Sequence, residues 1–176
     1  MKDVFLIYDT CCFYEIVVLS YFMNFSKCDM VFCSLDGKPI KAMEGFSVNS
    51  DVALNAIDKE KIRSFIIPGG DISSINNVEI KNYLQELNSR NVLIAGICAG
   101  VDVLDDSGIL KNVKSTHSTN ADLVNDHNII TARANAYVDF AIEVAKQLDL
   151  FTSEEDLQET IDFWKNYNRV QQDKFE

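Results

Sequence analysis

The sequence predicts an α/β fold, a mostly parallel sheet covered by helices on both faces. Three observations carry that reading. Apolar strand-like runs alternate with segments of helical periodicity, as they do when helices cross over a parallel sheet. Turn signals such as Asp36-Gly37 and Pro68-Gly69-Gly70 break the apolar runs. The third is the run Gly96-Ile97-Cys98-Ala99-Gly100 directly after apolar residues 92–95, the pattern of a strand turning sharply into a helix with a cysteine at the apex, a nucleophile elbow.

Residues 4–8 read as a buried strand, 15–25 as a helix and 30–35 as a second strand. After Asp36-Gly37, segments 40–43 and 46–48 are short enough for a small hairpin excursion. Residues 64–67 form the third main strand. A helix over 78–89 follows, with Ile80, Leu84 and Leu87 on one face, and then the strand that leads to Cys98. Residues 101–104 continue a helix that ends near Ser107-Gly108. Segments 114–116 and 128–132 read as short strands, and 136–148 as a helix with Ala141, Ala145 and Leu148 inward. Ser153 and Asp156 stand at capping-box spacing, with Asp where Glu or Gln is usual. Leu157, Ile161 and Trp164 then make one helical stripe, either core packing or a partner surface. The tail after Tyr167 is polar and expected to fray. Residues 1–176 read as one domain with a C-terminal helical extension at about 152–167.

The chain has 176 residues, 47% of them hydrophobic, and a formal net charge of -11. That charge argues against a nucleic-acid or anionic-membrane binder, because phosphate contacts need clustered Lys and Arg. No apolar run approaches the roughly 20 residues that span a bilayer, and Lys2 and Asp3 precede a short strand rather than a signal peptide. A cytoplasmic location is expected. Cys11, Cys12, Cys28, Cys33 and Cys98 form no C-x-x-C pair and are odd in number, so a disulfide framework is not expected. His117 and His127 lie outside ligand spacing with two cysteines, so no metal is expected.

In an open parallel sheet, ligands gather at the carboxyl ends of the strands. That rule brings together the turn before Glu15, the Gly69-Gly70 turn and Cys98. At a helix N-terminus, unpaired amides and the dipole can lower a thiol below its free value of about 8.5; the alternative is a small buried cysteine where strand packs on helix. A desolvated Glu15 beside a thiolate would stay protonated and donate a hydrogen bond to sulfur. Alternatively it is an ordinary N-terminal glutamate on the dipole. Gly69-Gly70 either lets backbone amides reach an oxyanion, with Ala99 as second donor, or is a plain turn. His117 either orients or deprotonates a substrate near Cys98 or is a surface histidine at a strand end.

Tyr14-Glu15, Ile67-Pro68-Gly69-Gly70, Ala95-Gly96-Ile97-Cys98-Ala99-Gly100 and Ser115-Thr116-His117 together resemble the ThiJ/PfpI superfamily, the DJ-one-like proteins, over roughly residues 2–148. The resemblance implies a flavodoxin-like three-layer sandwich, related to class I glutamine amidotransferase domains, and a homodimer. By position it implies Cys98 as the reactive cysteine, Glu15 as the protonated acid, Gly70 and Ala99 as oxyanion-hole amides and His117 in the pocket. No cofactor is implied. Activities in the family include glyoxalase, deglycase, isonitrile hydration, proteolysis, chaperone function and redox sensing.

The chain also departs from the family. Ala99 stands where the protease branch has a histidine, and neither His117-Ser118-Thr119 nor His127-Asn128-Ile129 supplies the H-x-E pair of glutamine amidotransferases, so both activities are disfavoured. The segment between His117 and Ile129 is shorter, and Arg133-Ala134-Asn135-Ala136 replaces a Gly-Pro turn. The leading expectation is a cysteine-dependent enzyme acting on a small electrophile such as a 2-oxoaldehyde, a related carbonyl compound or an isonitrile. The alternatives are a redox-sensing stress-response protein in which an oxidant modifies Cys98, and a non-catalytic binding member.

Overall fold

The structure, a computed structural model, describes residues 1–168; the polar tail beyond Asn168 lies outside the described residues. A seven-stranded sheet runs in the order β5-β2-β1-β6-β7-β9-β8. Its strands are β1 (Lys2–Leu6), β2 (Asp29–Ser34), β5 (Val52–Ala53), β6 (Ile62–Ile67), β7 (Leu93–Ile97), β8 (Leu123–Asp126) and β9 (Ile129–Ala132). All pair in parallel except β8, which runs antiparallel to β9 at the edge. A separate hairpin joins β3 (Ile40–Lys41) to β4 (Ser47–Val48). Leaving out the edge strands, the order is that of a doubly wound flavodoxin-like sheet, whose ligand crevice opens where the winding reverses, between β1 and β6.

The central strands are continuous apolar runs because both of their faces are covered. Val4, Phe5 and Leu6 of β1, and Phe65, Ile66 and Ile67 of β6, are fully buried. Helix α1 (Tyr14–Phe25) packs with α4 (Tyr137–Gln147), and α2 (Val78–Ser89) with α3 (Gly100–Asp106), so two helix pairs sandwich the sheet. Helix α1 buries Ile16, Leu19 and Met23 while leaving Val17, Tyr21 and Phe25 exposed. Helix α2 is capped by the Asn77 side chain, which accepts from the Ile80 N–H at 3.1 Å.

Three features differ from the sequence reading. Segment 114–116 is not a strand: the Lys114 N–H donates to the Asp126 side chain at 2.7 Å, and Ser115, Ser118 and Thr119 bond among themselves in a turn. Side-chain oxygens there compete with a ladder for the backbone. The edge strand is instead β8, whose mixed Leu-Val-Asn-Asp sequence lacks a strand period. Short β5 was also not expected, and it is held mainly by its pairing with β2. At the C-terminus, helix α5 spans Glu154–Trp164. Ser153 accepts from the Asp156 N–H at 3.1 Å, but the short Asp156 side chain reaches the Thr152 N–H and hydroxyl rather than completing the box on Ser153.

One buried charge pins the end of the sheet remote from the crevice. Asp3 is fully buried and accepts from Arg63 Nε at 2.9 Å and Ser64 Oγ at 2.7 Å. Removing the arginine strands a carboxylate in the core. Arg63→Ala is expected to cost about 3 kcal/mol in urea denaturation, the low end for a broken buried pair because Arg63 is itself partly exposed; a loss under about 1 kcal/mol would mean that solvent already screens Asp3.

Candidate functional site

Three turns converge at the carboxyl ends of β1, β6 and β7, and glycines make the convergence possible. A Cβ on Gly69 would stand 2.6 Å from Cys98 Cβ and 2.8 Å from its sulfur, and one on Gly100 would stand 2.3 Å from the Ile67 carbonyl oxygen. Neither contact is tolerable. These two positions let the elbow, the β6 turn and the thiol share one small volume, which explains the flanking small residues of the G-x-C-x-G run.

Cys98 sits at φ +55°, the left-handed region that costs a non-glycine residue about 1–3 kcal/mol. Surrounding contacts hold it there: its N–H donates to the Ala132 carbonyl at 2.9 Å, and its carbonyl accepts from the Val101 N–H at 3.1 Å in the first turn of α3. Its side chain is half-buried. Cys98, Thr116, His117, Ala132, Arg133 and Ala134 line a cavity of about 320 Å³.

Glu15, in the first turn of α1, is fully buried. Its Oε2 accepts from the Gly69 N–H at 2.6 Å, and Tyr14 Oη stands 3.5 Å from Oε1. The β3–β4 hairpin fixes the preceding loop, since Asp9 accepts from the Lys41 N–H at 2.8 Å, the Lys41 carbonyl accepts from Thr10 at 2.7 Å, and Glu44 accepts from the Tyr14 N–H at 2.6 Å. Burial raises Glu15 above the ordinary carboxyl range, opposed by the Gly69 amide. The Cys98 thiol is also raised, first by burial and then by the charge that Glu15 carries when ionised, while the Ala99 amide pulls it down. The expectation of a thiol lowered by the helix end thus meets a stronger opposing influence. An ionised Glu15 repels a thiolate, whereas a protonated one donates to it. Cys11 and Cys12 are each pushed up to about 11, chiefly by burial.

His117 lines the thiol's cavity but is held from its other side. Its Nδ1 is 3.0 Å from Asp105 and its Nε2 3.3 Å from Asp102, both on α3. Both contacts are donor contacts only when both ring nitrogens carry protons. The Gly70 N–H bonds to no acceptor among the described residues, and Ala99 stands at the N-terminus of α3. The sequence reading missed Asp102, Asp105 and Glu44; it singled out the segments that hold Thr116 and Arg133 without giving either side chain a role. The i, i+3 acidic pair on α3 was visible, but its partner across the fold was not.

Gly100→Ala drives a methyl into backbone and should cost about 3 kcal/mol in urea denaturation, with loss of selective alkylation at Cys98; near wild-type stability would mean that the elbow relaxes freely. Because the folded value of Glu15 is raised, its contribution is complete below the ordinary value of 4.5 and is lost as pH climbs through the folded value. Relative to Glu15→Gln, the wild-type protein should therefore lose stability from pH 4.5 towards neutrality, and parallel stability profiles would show that Glu15 is not raised.

The model of the DJ-1/PfpI family matches residues 1–155. The Bacillus subtilis protein named "Uncharacterized protease YdeA" is 25% identical over 171 residues, covering 87% of this chain and 86% of its own. A DJ-1 superfamily protein from Agrobacterium tumefaciens superposes with a TM-score of 0.85 at 24% identity, covering 96% of this chain and 100% of its own. Oxidized Toxoplasma gondii DJ-1 superposes with a TM-score of 0.78 at 18% identity, covering 91% and 95%.

Proposed function

The chain belongs to the DJ-1/PfpI family, and from that premise we propose that it is a cysteine-dependent enzyme acting on small electrophiles such as 2-oxoaldehydes, related carbonyl compounds or isonitriles. The observation that carries this reading is the strained, half-exposed Cys98 placed against the buried Glu15 carboxyl. In the proposed reaction on a carbonyl substrate, the Cys98 thiolate adds to the electrophilic carbon. A C–S bond forms, and the carbonyl π pair moves to oxygen, where the Gly70 and Ala99 amides stabilise it. Glu15 keeps its proton, donates to sulfur, and passes the proton on as charge moves to oxygen. His117, clasped by Asp102 and Asp105, serves to position substrate in the wall of the cavity. A small cavity suits a small substrate.

Proteolysis, the activity in the YdeA name, receives less support. Ala99 replaces the histidine that would pair with the nucleophile, and His117 makes its close contacts to carboxylates instead. A redox-sensing reading, in which an oxidant converts Cys98 to sulfenic or sulfinic acid, is favoured by the partly exposed thiol and by the oxidized state of the Toxoplasma protein. We carry the homodimer and the cytoplasmic location as parts of the same proposal; among the described residues no helix is long and apolar enough to cross a membrane.

Two readouts test the enzyme reading. Cys98→Ser should abolish turnover across a panel of 2-oxoaldehydes and isonitriles; unchanged turnover would remove the mechanism. In pH-dependent iodoacetamide labelling resolved by peptide mass, Glu15→Gln should raise the Cys98 labelling pKa by about 1 unit, equivalent to about 1.4 kcal/mol of lost thiolate stabilisation. A fall would mean that Glu15 is ionised beside sulfur. Preferential peroxide oxidation of Cys98 with no turnover would favour the sensor.

A further inference from the structure

A second cavity, of about 600 Å³, lies at the far end of α1 between that helix and α5, on residues that take no part in the Cys98 chemistry. Its size falls in the range of small-molecule sites. We propose that it binds a lipophilic organic cation, a protonated amine or quaternary ammonium carried on an apolar body.

The aromatic walls make the first half of the argument. Trp164 is ringed by Tyr21, Phe22 and Phe163 at centroid separations of 5.9, 5.6 and 5.5 Å, mostly edge to face. Phe151 extends the cluster from Phe22, 6.4 Å away. Phe25 is 79% exposed and Tyr21 55% exposed, so the apolar lining is open to a guest. Several aromatic side chains line this one space, and aromatic rings attract a soft cation.

Charge makes the second half. No Lys, Arg or His lines the cavity, whereas Asp149, Asp156 and Glu159 do. Asp156 is occupied by Thr152. Among the described residues, Asp149 and Glu159 have no basic partner within ion-pair distance. Ser26, which follows the C-terminus of α1, also faces the space, and the last turn of α1 contains no basic side chain, although the Phe22, Met23 and Asn24 carbonyls there accept from the Ser26, Cys28 and Lys27 N–H groups. A helix C-terminus favours a cation. At net charge -11, the whole molecule favours the same sign of ligand.

Trp164 is the chain's single tryptophan, so its fluorescence reports this cavity directly. The full chain is titrated with 4-phenylbutylammonium, 4-phenylbutanol and 4-phenylbutyrate, which share one apolar body and differ in charge. The ammonium should give a saturable change at least tenfold tighter than the alcohol, with no saturation by the carboxylate. Asp149→Asn with Glu159→Gln should weaken the ammonium at least fivefold and leave the alcohol unchanged, while Phe25→Ala weakens both. No saturable response to the ammonium, or equal binding of ammonium and alcohol, overturns the proposal. So does a Trp164 signal that follows protein concentration through a monomer–dimer transition, because the occupant is then a second copy of the chain.

Discussion

The crowding around Gly69 is the constraint on which the rest of the site depends. Its amide is held by Glu15, its carbonyl accepts from Cys12 at 2.8 Å, and the space a side chain would take is filled by Cys98. The β1, β6 and β7 turns therefore fix one another. Parallel pairing sets the ends of these strands side by side, with Ile67 opposite Gly96 and Ile97 opposite Ala132. Backbone strain at Cys98 is sustained because neighbouring ladders and the start of α3 over-determine its conformation. Nothing in the elbow pentapeptide alone would hold it.

The electrostatics follow from that packing. Glu15 is brought fully out of water to reach the Gly69 amide, and burial is the main reason that it resists ionisation. The same closeness makes the state of Glu15 decide whether the thiolate has a repelling neighbour or a donor. The histidine obeys a different logic: Asp102 and Asp105 sit one turn apart on α3 and clasp the ring, so it lines the cavity as a fixed group. Arg133 stands nearby in the wall, 3.5 Å from Asp122, and only the pairing of β9 with β7 brings it to the thiol.

Helix α1 has two jobs at its two ends. Its first turn delivers Glu15 to the crevice, and its last turns present Tyr21 and Phe25 to α5. About ten residues separate these ends, roughly 15 Å along the axis. Its apolar residues extend beyond one stripe for that reason, since the core takes Ile16, Leu19 and Met23 while the outer face supports the aromatic cavity. The Leu157, Ile161 and Trp164 stripe packs within the chain: Leu157 is buried in the core, and Trp164 closes on Phe22 and Tyr21.

Much of the fold was legible in the chain because the signals are local. Continuous apolar runs imply strands covered on both faces, the Leu84 and Leu87 period implies a helix, and Gly96, Cys98 and Gly100 together imply an elbow. The carboxyl-end rule then suffices to gather Glu15, Gly70 and Cys98. What failed was also local in cause: 114–116 resembled a strand until side-chain oxygens took its backbone, and β8 exists because β9 offers it an edge. The direction of the Cys98 shift could not be read, because it is the difference between burial, a neighbouring charge and one amide. The carboxylates that clasp His117, the hairpin that braces the Glu15 loop and the aromatic cavity all join residues far apart in the chain. By itself the sequence determined the central strands and the sharp turn with a cysteine at its apex, since these need only neighbours along the chain. Tertiary structure alone decided the direction in which Glu15 and Cys98 are shifted, the partners of the histidine and the second cavity, because each depends on distances that the chain closes only when folded.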